Sequence, residues 1–209
     1  MTGDCRRRGP SPFPRRRPFS SVCPLHVLLF VAALGFATNA LWIPAKAALA
    51  QLLLQRAWAQ TLHGERHVKP WPWADTWPLA RLRMEQHGVD LIVLAGASGR
   101  TLAFAPGHLD GTTRPGLPGN IVLSGHRDTH FGFLEKVQPG ELLSLESADG
   151  ASQTYRVVAR HVVYDDDVYV LDDDGEALLT LITCYPFDAV IPGGPLRYVV
   201  RAELVEGAG

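Results

Sequence analysis

The sequence predicts a mostly β domain, an eight-stranded closed or nearly closed barrel, preceded by an N-terminal transmembrane helix. Three observations carry this. Between Trp77 and Glu206, eight short aliphatic and β-branched segments are divided by Gly, Pro and Asp turn signals. From Pro18 to Ala45 no residue is formally charged, with His26 taken as neutral, and Val22–Ile43 reaches the roughly 20 residues a bilayer needs. Ahead of that stretch lie Arg6, Arg7, Arg8, Arg15, Arg16 and Arg17, six of the twenty Lys+Arg residues in a chain of 209. Such a cluster predicts a cytoplasmic N-terminus, with everything after Ile43 outside. The formal net charge of −1 offers no electrostatic case for a nucleic-acid partner.

In order along the chain, residues 1–21 form a basic cytoplasmic tail and residues 22–43 a signal anchor. Ala37-Thr-Asn-Ala40 resembles a signal-peptidase site, but the apolar stretch continues past it through Leu41-Trp-Ile43. Pro24, His26 and Asn39 weaken the span, and a buried core helix is the other reading. Residues 44–76 are a helical stalk and a lead-in rich in Trp and Pro. Strong helix formers fill Ala45–Leu62, with Leu49, Leu52, Leu53 and Trp58 as an apolar stripe. Lys69-Pro-Trp-Pro-Trp-Ala-Asp75 cannot be regular helix or central strand. Residues 77–206 are the barrel, with strands expected near Leu79–Met84, Leu91–Ala95, Leu102–Ala105, Ile121–Ser124, Leu142–Glu146, Tyr155–Val163, Ala177–Thr183 and Arg197–Val205. A single turn of helix is expected near Phe131–Val137.

The chemistry concentrates at Thr180-Leu-Ile-Thr-Cys-Tyr-Pro-Phe187. An aliphatic strand runs directly into Cys184, and Pro186 then stops ladder pairing because it has no N–H. Cys5 and Cys23, the other two cysteines, fall in the tail and at the edge of the span, so neither can pair with Cys184 on this topology. Taken alone, Cys184 is as readily a buried structural thiol as a nucleophile.

A nucleophilic thiol needs a base or cation beside it. His126, in Asn120-Ile-Val-Leu-Ser-Gly-His-Arg-Asp-Thr-His130, lies just past a strand, as Cys184 does past its own. His130 competes for the role, and His126-x-x-x-His130 with Cys184 as third ligand is a metal alternative whose spacing suits a helix better than this loop. His108 is a weaker base candidate that would line the groove, and His161 falls mid-strand. Arg197 opens a strand thirteen positions after Cys184 (197 − 184 = 13), at the same end of the sheet, where it can stabilise an oxyanion. Arg201 shares its strand parity but sits about 13 Å further along at ~3.3 Å per residue.

Taken together, these residues resemble the sortases, cysteine transpeptidases built on an eight-stranded β-barrel. Thr180-Leu-Ile-Thr-Cys184 matches the family signature Thr-Leu-x-Thr-Cys, Gly125-His-Arg-Asp-Thr129 its histidine segment, and Arg197 its arginine. Thr183-Cys-Tyr-Pro-Phe187, Trp71-Pro-Trp-Ala-Asp75 and Pro192-Gly-Gly-Pro-Leu-Arg-Tyr198 resemble the Gram-negative subgroup, class GN. The resemblance implies an inner-membrane enzyme with its catalytic domain in the periplasm. Its substrate would be an exported protein ending in a sorting signal similar to Leu-Pro-x-Thr-Gly, and its second substrate an amine. Cys184 would attack between Thr and Gly, His126 would protonate the departing amine, and Arg197 would bind the oxyanion. Thr183 and Ile182 are substrate-contact candidates, and Val170, Leu171 and Ile191 candidates for an apolar groove.

No cofactor is required by this chemistry. Asp165, Asp167, Asp172 and Asp174 form an acidic loop at the place where some sortases bind calcium; a solvated loop is the plainer reading. A thiol hydrolase with the same three residues, and a membrane-anchored binding barrel without catalysis, are the rival functions.

Overall fold

The structure, a computed structural model, describes residues 24–191 and 193–205. It falls into two units, one up to Pro44 and one from Ala45. The basic tail and residues Val22 and Cys23 lie outside the described residues. Helix α1 runs Pro24–Leu62 with Pro44 inside it. In the first unit its apolar side chains face outward, among them Leu25, Leu28, Phe30, Phe36 and Trp42. The transmembrane segment expected over 22–43 is not found: among the described residues, no helix is long and apolar enough to cross a membrane. Val22 and Cys23, the first two residues of the expected span, are not among those described.

In the second unit, the helix buries Ala50, Leu54, Ala57, Trp58 and Thr61, a face built on i, i+3 and i, i+4 spacing. Leu54 and Trp58 pack on Ile92, Leu94 and Ala105. The expected stripe is thus rotated, for Leu49 and Leu52 are exposed.

Eight strands follow: β1 (Pro78–Met84), β2 (Val89–Ala95), β3 (Gly107–His108), β4 (Asn120–Ser124), β5 (Leu142–Ser147), β6 (Ser152–Tyr164), β7 (Leu178–Tyr185) and β8 (Leu196–Leu204). They close into a barrel in the order β1-β2-β3-β4-β7-β8-β6-β5, with β1 pairing back onto β5. Most neighbours are antiparallel, but β2–β3 and β4–β7 are parallel. The barrel interior holds Leu82, Met84, Ile121, Leu123, Phe131, Leu145, Leu179, Leu181 and Val200. Each fully buried Leu or Ile there contributes roughly 1.5–3 kcal/mol of hydrophobic stabilisation.

The strand expected at Leu102–Ala105 is absent. Ser98 caps a short helix there, α2 (Gly99–Leu102), its Oγ accepting from the Thr101 N–H at 3.3 Å. The chain reaches the sheet only afterwards, in the two residues of β3. Between β4 and β5, Gly132–Glu135 forms a 3-10 turn within the stretch expected to be helical. A second 3-10 turn, Val168–Leu171, lies in the crossover from β6 to β7.

Candidate active site

Strand β7 sorts the residues of Thr180–Cys184 by parity. Leu179, Leu181 and Thr183 alternate with Thr180, Ile182 and Cys184. Leu179 and Leu181 belong to the barrel interior, whereas Ile182 packs outside it with Val122, Val163, Val170 and Val199. Cys184 therefore lies on the outer face, at the strand's C-terminal end, where it is half-buried.

The two strands beside β7 carry the other candidates. Parallel β4 pairs with it as far as Ser124 opposite Ile182, and the Gly125 N–H still donates to the Ile182 carbonyl at 3.2 Å. His126 comes two residues beyond Ser124, past the end of β4, at the end of the sheet where Cys184 lies. On the other flank, antiparallel β8 places Arg197 directly opposite Cys184. Since paired residues of a ladder share a face, Cys184 and Arg197 both point to the outer side of the barrel wall, and the turn carrying His126 follows β4 at that same end. His126 is exposed. The Arg197 guanidinium donates to the carbonyls of Gly194 at 2.7 Å and Leu196 at 2.9 Å, and reaches Asp165 Oδ2 at 3.3 Å.

A layer of hydrogen bonds fixes this end of the sheet. Thr183 is buried and its Oγ1 donates to the Gly125 carbonyl at 2.7 Å, tying the thiol strand to the histidine turn. It braces the site from the interior and does not face the groove in which substrate contact was expected. Gly125 has no room for a side chain: a Cβ there would lie 2.8 Å from the buried Phe131 ring. Phe131 in turn donates its N–H to the His126 carbonyl at 3.0 Å. Thr180 Oγ1 donates to Asn120 Oδ1 at 2.8 Å, and Asn120 Nδ2 donates to the carbonyls of Val170 and Asp172. The threonines of the signature thus each hold a neighbouring element in place. Sequence reasoning missed Asn120 and also Arg127, whose buried guanidinium donates to the carbonyls of Pro186 and Ala189 just past Cys184. A charged residue inside a glycine-bounded turn was the signal for Arg127.

A groove of about 190 Å³ runs over this face, lined by Leu109, Ser124, Val163, Val168, Val170, Leu171, Ile182 and Arg197. Val170, Leu171 and Ile182 line it as expected. Ile191 does not; it is 80% exposed on the loop between β7 and β8. A larger apolar hollow of about 540 Å³ lies between the second part of α1 and Trp71, Trp73 and Phe104, and no cysteine or histidine lines it.

His108 does not line the groove either. It is buried, its Nε2 within 2.8 Å of the Thr113 carbonyl and 3.2 Å of Thr112 Oγ1, so it pins the loop after β3. His130 is half-buried, and burial together with the nearby His126 charge holds its pKa below the usual histidine value. His126 is thus the freer and more exposed of the two. Among the described residues no three His, Cys, Asp or Glu side chains gather into a metal site. The loop aspartates are spread over separate contacts: Asp165 faces Arg197, and Asp167 Oδ2 accepts from the Tyr164 N–H at 2.8 Å. Neither these aspartates nor His126, His130 and Cys184 make up such a group among the described residues.

A profile of the sortase domain matches residues 82–205. The chain belongs to the sortase family. Sortase D of Bacillus subtilis is 32% identical over 126 residues, which cover 59% of this chain and 62% of that relative. Among solved structures, sortase C-1 of Actinomyces oris is 32% identical with a TM-score of 0.55, covering 61% of this chain and 74% of that one. A sortase D5 of Clostridium perfringens superposes with a TM-score of 0.60 over 76% of this chain and 99% of that one; at 22% identity it supports the fold alone. The barrel fold is therefore shared with these solved sortase structures.

Proposed function

We propose that this sortase is a cysteine transpeptidase acting on an exported protein through a sorting peptide similar to Leu-Pro-x-Thr-Gly. One observation supports the reading: Arg197 lies opposite Cys184 on the neighbouring strand, and His126 follows two residues after the last β4 partner of β7, at the same end of the sheet. Cys184 Sγ attacks the Thr carbonyl carbon of the peptide, and Arg197, freed from Asp165, takes the developing oxyanion. His126, as imidazolium beside the thiolate, gives its proton to the departing Gly amine, and the C–N bond breaks to leave a thioester. An amine then attacks the thioester, transferring one proton back to the imidazole–thiolate pair and forming a new amide. The apolar groove over Val170 and Ile182 receives the Leu-Pro part of the peptide.

A labelled Leu-Pro-x-Thr-Gly peptide tests this, supplied with and without an acceptor amine. Amide product forming only with amine marks transfer, whereas release of the free acid irrespective of amine marks the rival hydrolase. Cys184→Ala should lower cleavage at least ~10³-fold, as removal of a covalent nucleophile does; wild-type cleavage by that variant would sink the mechanism.

The same reading puts the barrel outside the cytoplasm and holds it at the membrane by the N-terminal segment. The arginine cluster at the start of the chain and the outward apolar side chains of α1 up to Trp42 support it. Digestion of the domain by protease added to spheroplasts is expected; protection would place it inside. Thr183-Cys-Tyr-Pro-Phe187 further supports class GN, an assignment that fails if a full-length sequence tree puts the chain in another class.

A further inference from the structure

Arg127 is buried, and its guanidinium is committed to backbone. Nη1 donates to the Pro186 carbonyl at 2.7 Å and Nη2 to the Ala189 carbonyl at 2.6 Å, while Nε lies 3.4 Å from Asp128 Oδ1. The Asp128 side chain is 71% exposed, so the cation is buried without a buried carboxylate beside it. A buried charge of this kind persists only where its hydrogen bonds are well made. Its place in the chain gives the bonds their meaning. Arg127 follows His126 directly, and the carbonyls it holds begin two residues after Cys184. Gly132 packs against its backbone, where a Cβ would lie 2.8 Å from the Arg127 carbonyl oxygen. The turn is therefore clamped from both sides.

We propose that Arg127 is a positioning residue that locks the His126 turn to the segment leaving Cys184, and so sets the spacing and orientation of the two reacting side chains. The proposal rests on the His126–Cys184 pairing of the proposed function. Two parallel strands fix the pair only up to Ser124 and Ile182, their last ladder partners. Beyond them β4 gives way to the His126 turn while β7 runs on beside β8 to Tyr185, and the two are joined by the Thr183 hydroxyl on the interior side and by the Arg127 fork past the end of β7. A planar, two-pronged donor suits this role in a way a lysine ammonium does not.

The test uses the full-length protein with Arg127→Met, Arg127→Lys, His126→Ala and His126→Ala/Arg127→Met. Two readouts are taken: the pH profile of Cys184 alkylation by iodoacetamide, which needs no peptide, and kcat and KM on the sorting peptide. Arg127→Met should move the alkylation profile in the direction that His126→Ala moves it, and the double variant should match His126→Ala alone. Peptide turnover should fall about 100-fold in kcat with KM little changed, the size expected for a catalytic group misplaced by ~1 Å. Arg127→Lys keeps the charge and serves if the methionine variant does not fold; it should lie between wild type and His126→Ala. A folded Arg127 variant with the wild-type alkylation profile overturns the proposal, as do effects of His126→Ala and Arg127→Met that simply multiply. If wild type cleaves no sorting peptide yet the alkylation profiles coincide as described, the positioning role holds and the peptide reading fails.

Discussion

Gly125→Ala adds one methyl group at the point where the barrel core meets the histidine turn. The new Cβ would lie 2.8, 2.9 and 3.1 Å from three carbons of the Phe131 ring, against an ordinary contact of 3.4 Å or more, a shortfall of 0.6 Å at the closest (3.4 − 2.8). The ring has nowhere to go. Phe131 is fully buried and packs edge-on against Phe133, with ring centroids 5.9 Å apart. Overpacking of this kind costs about 1–3 kcal/mol. For a folded unit of 165 residues (45 to 209) each kcal/mol lowers Tm by roughly 2–4 °C, so a drop of roughly 2–12 °C is expected. Activity should suffer beyond that, because the backbone N–H of Phe131 is bonded to the His126 carbonyl and any shift of the ring is passed to the histidine turn. A displacement of half an ångström should cost about 10-fold in kcat/KM, given ~100-fold for 1 Å. Thermal melting and peptide cleavage by the same preparation check both parts. Adding Phe131→Leu, which removes ring atoms at the clash, should recover part of the loss, so that the pair is less destabilising than the two substitutions summed. A Gly125→Ala protein with wild-type Tm and wild-type kcat/KM would refute the argument that the glycine is there for close packing.

Thr183→Val keeps the shape of a buried side chain but removes the donor to the Gly125 carbonyl. It should cost about 1–3 kcal/mol by denaturant unfolding, the desolvation penalty of the carbonyl left unmatched, and leave KM for the peptide near wild type, since the hydroxyl faces the interior. Tyr155 is buried with its hydroxyl on Gln153, and burial pushes its pKa up to about 12. The folded protein holds that proton more tightly than the unfolded chain, whose tyrosine titrates near 10. Stability is thus complete below about pH 10 and declines as pH rises toward about 12. Near-ultraviolet absorbance should show a late-titrating tyrosine that is lost in Tyr155→Phe.

Seven of the eight expected strands follow from short aliphatic and β-branched runs bounded by Gly, Pro and Asp, and each of these is found within a few residues of its expected place. The exception, Leu102–Ala105, looks extended by composition but follows Ser98, whose side-chain cap turns the chain into α2. A cap only one turn long competes poorly with an aliphatic run when both are read locally. The placing of Arg197 at the Cys184 end of the sheet was legible because parity and register carry over from sequence to space along paired strands, and His126 follows β4 at that same end. Arg127, Asn120 and the inward role of Thr183 were not legible. Their partners are backbone carbonyls 50 to 62 residues away, and a sequence does not mark which carbonyl lies within reach. His108 was misplaced for the same reason, since the loop that buries it closes on itself through Thr112 and Thr113.

Strands β4 and β7 are hydrogen-bonded neighbours, yet 58 positions separate His126 from Cys184 (184 − 126). In the proposed reading the approach of base to thiol depends on this ladder and on the Thr183 and Arg127 contacts beyond it, and not on the length of chain strung between them. The crossover with its 3-10 turn can lengthen, shorten or be exchanged, provided the chain returns to Leu178 in register with Asn120. Lineages carrying this architecture are free to rebuild the roof of the groove for new peptides while the reacting pair stays as it was. The segment 165–177 is accordingly where a designer would graft a new specificity.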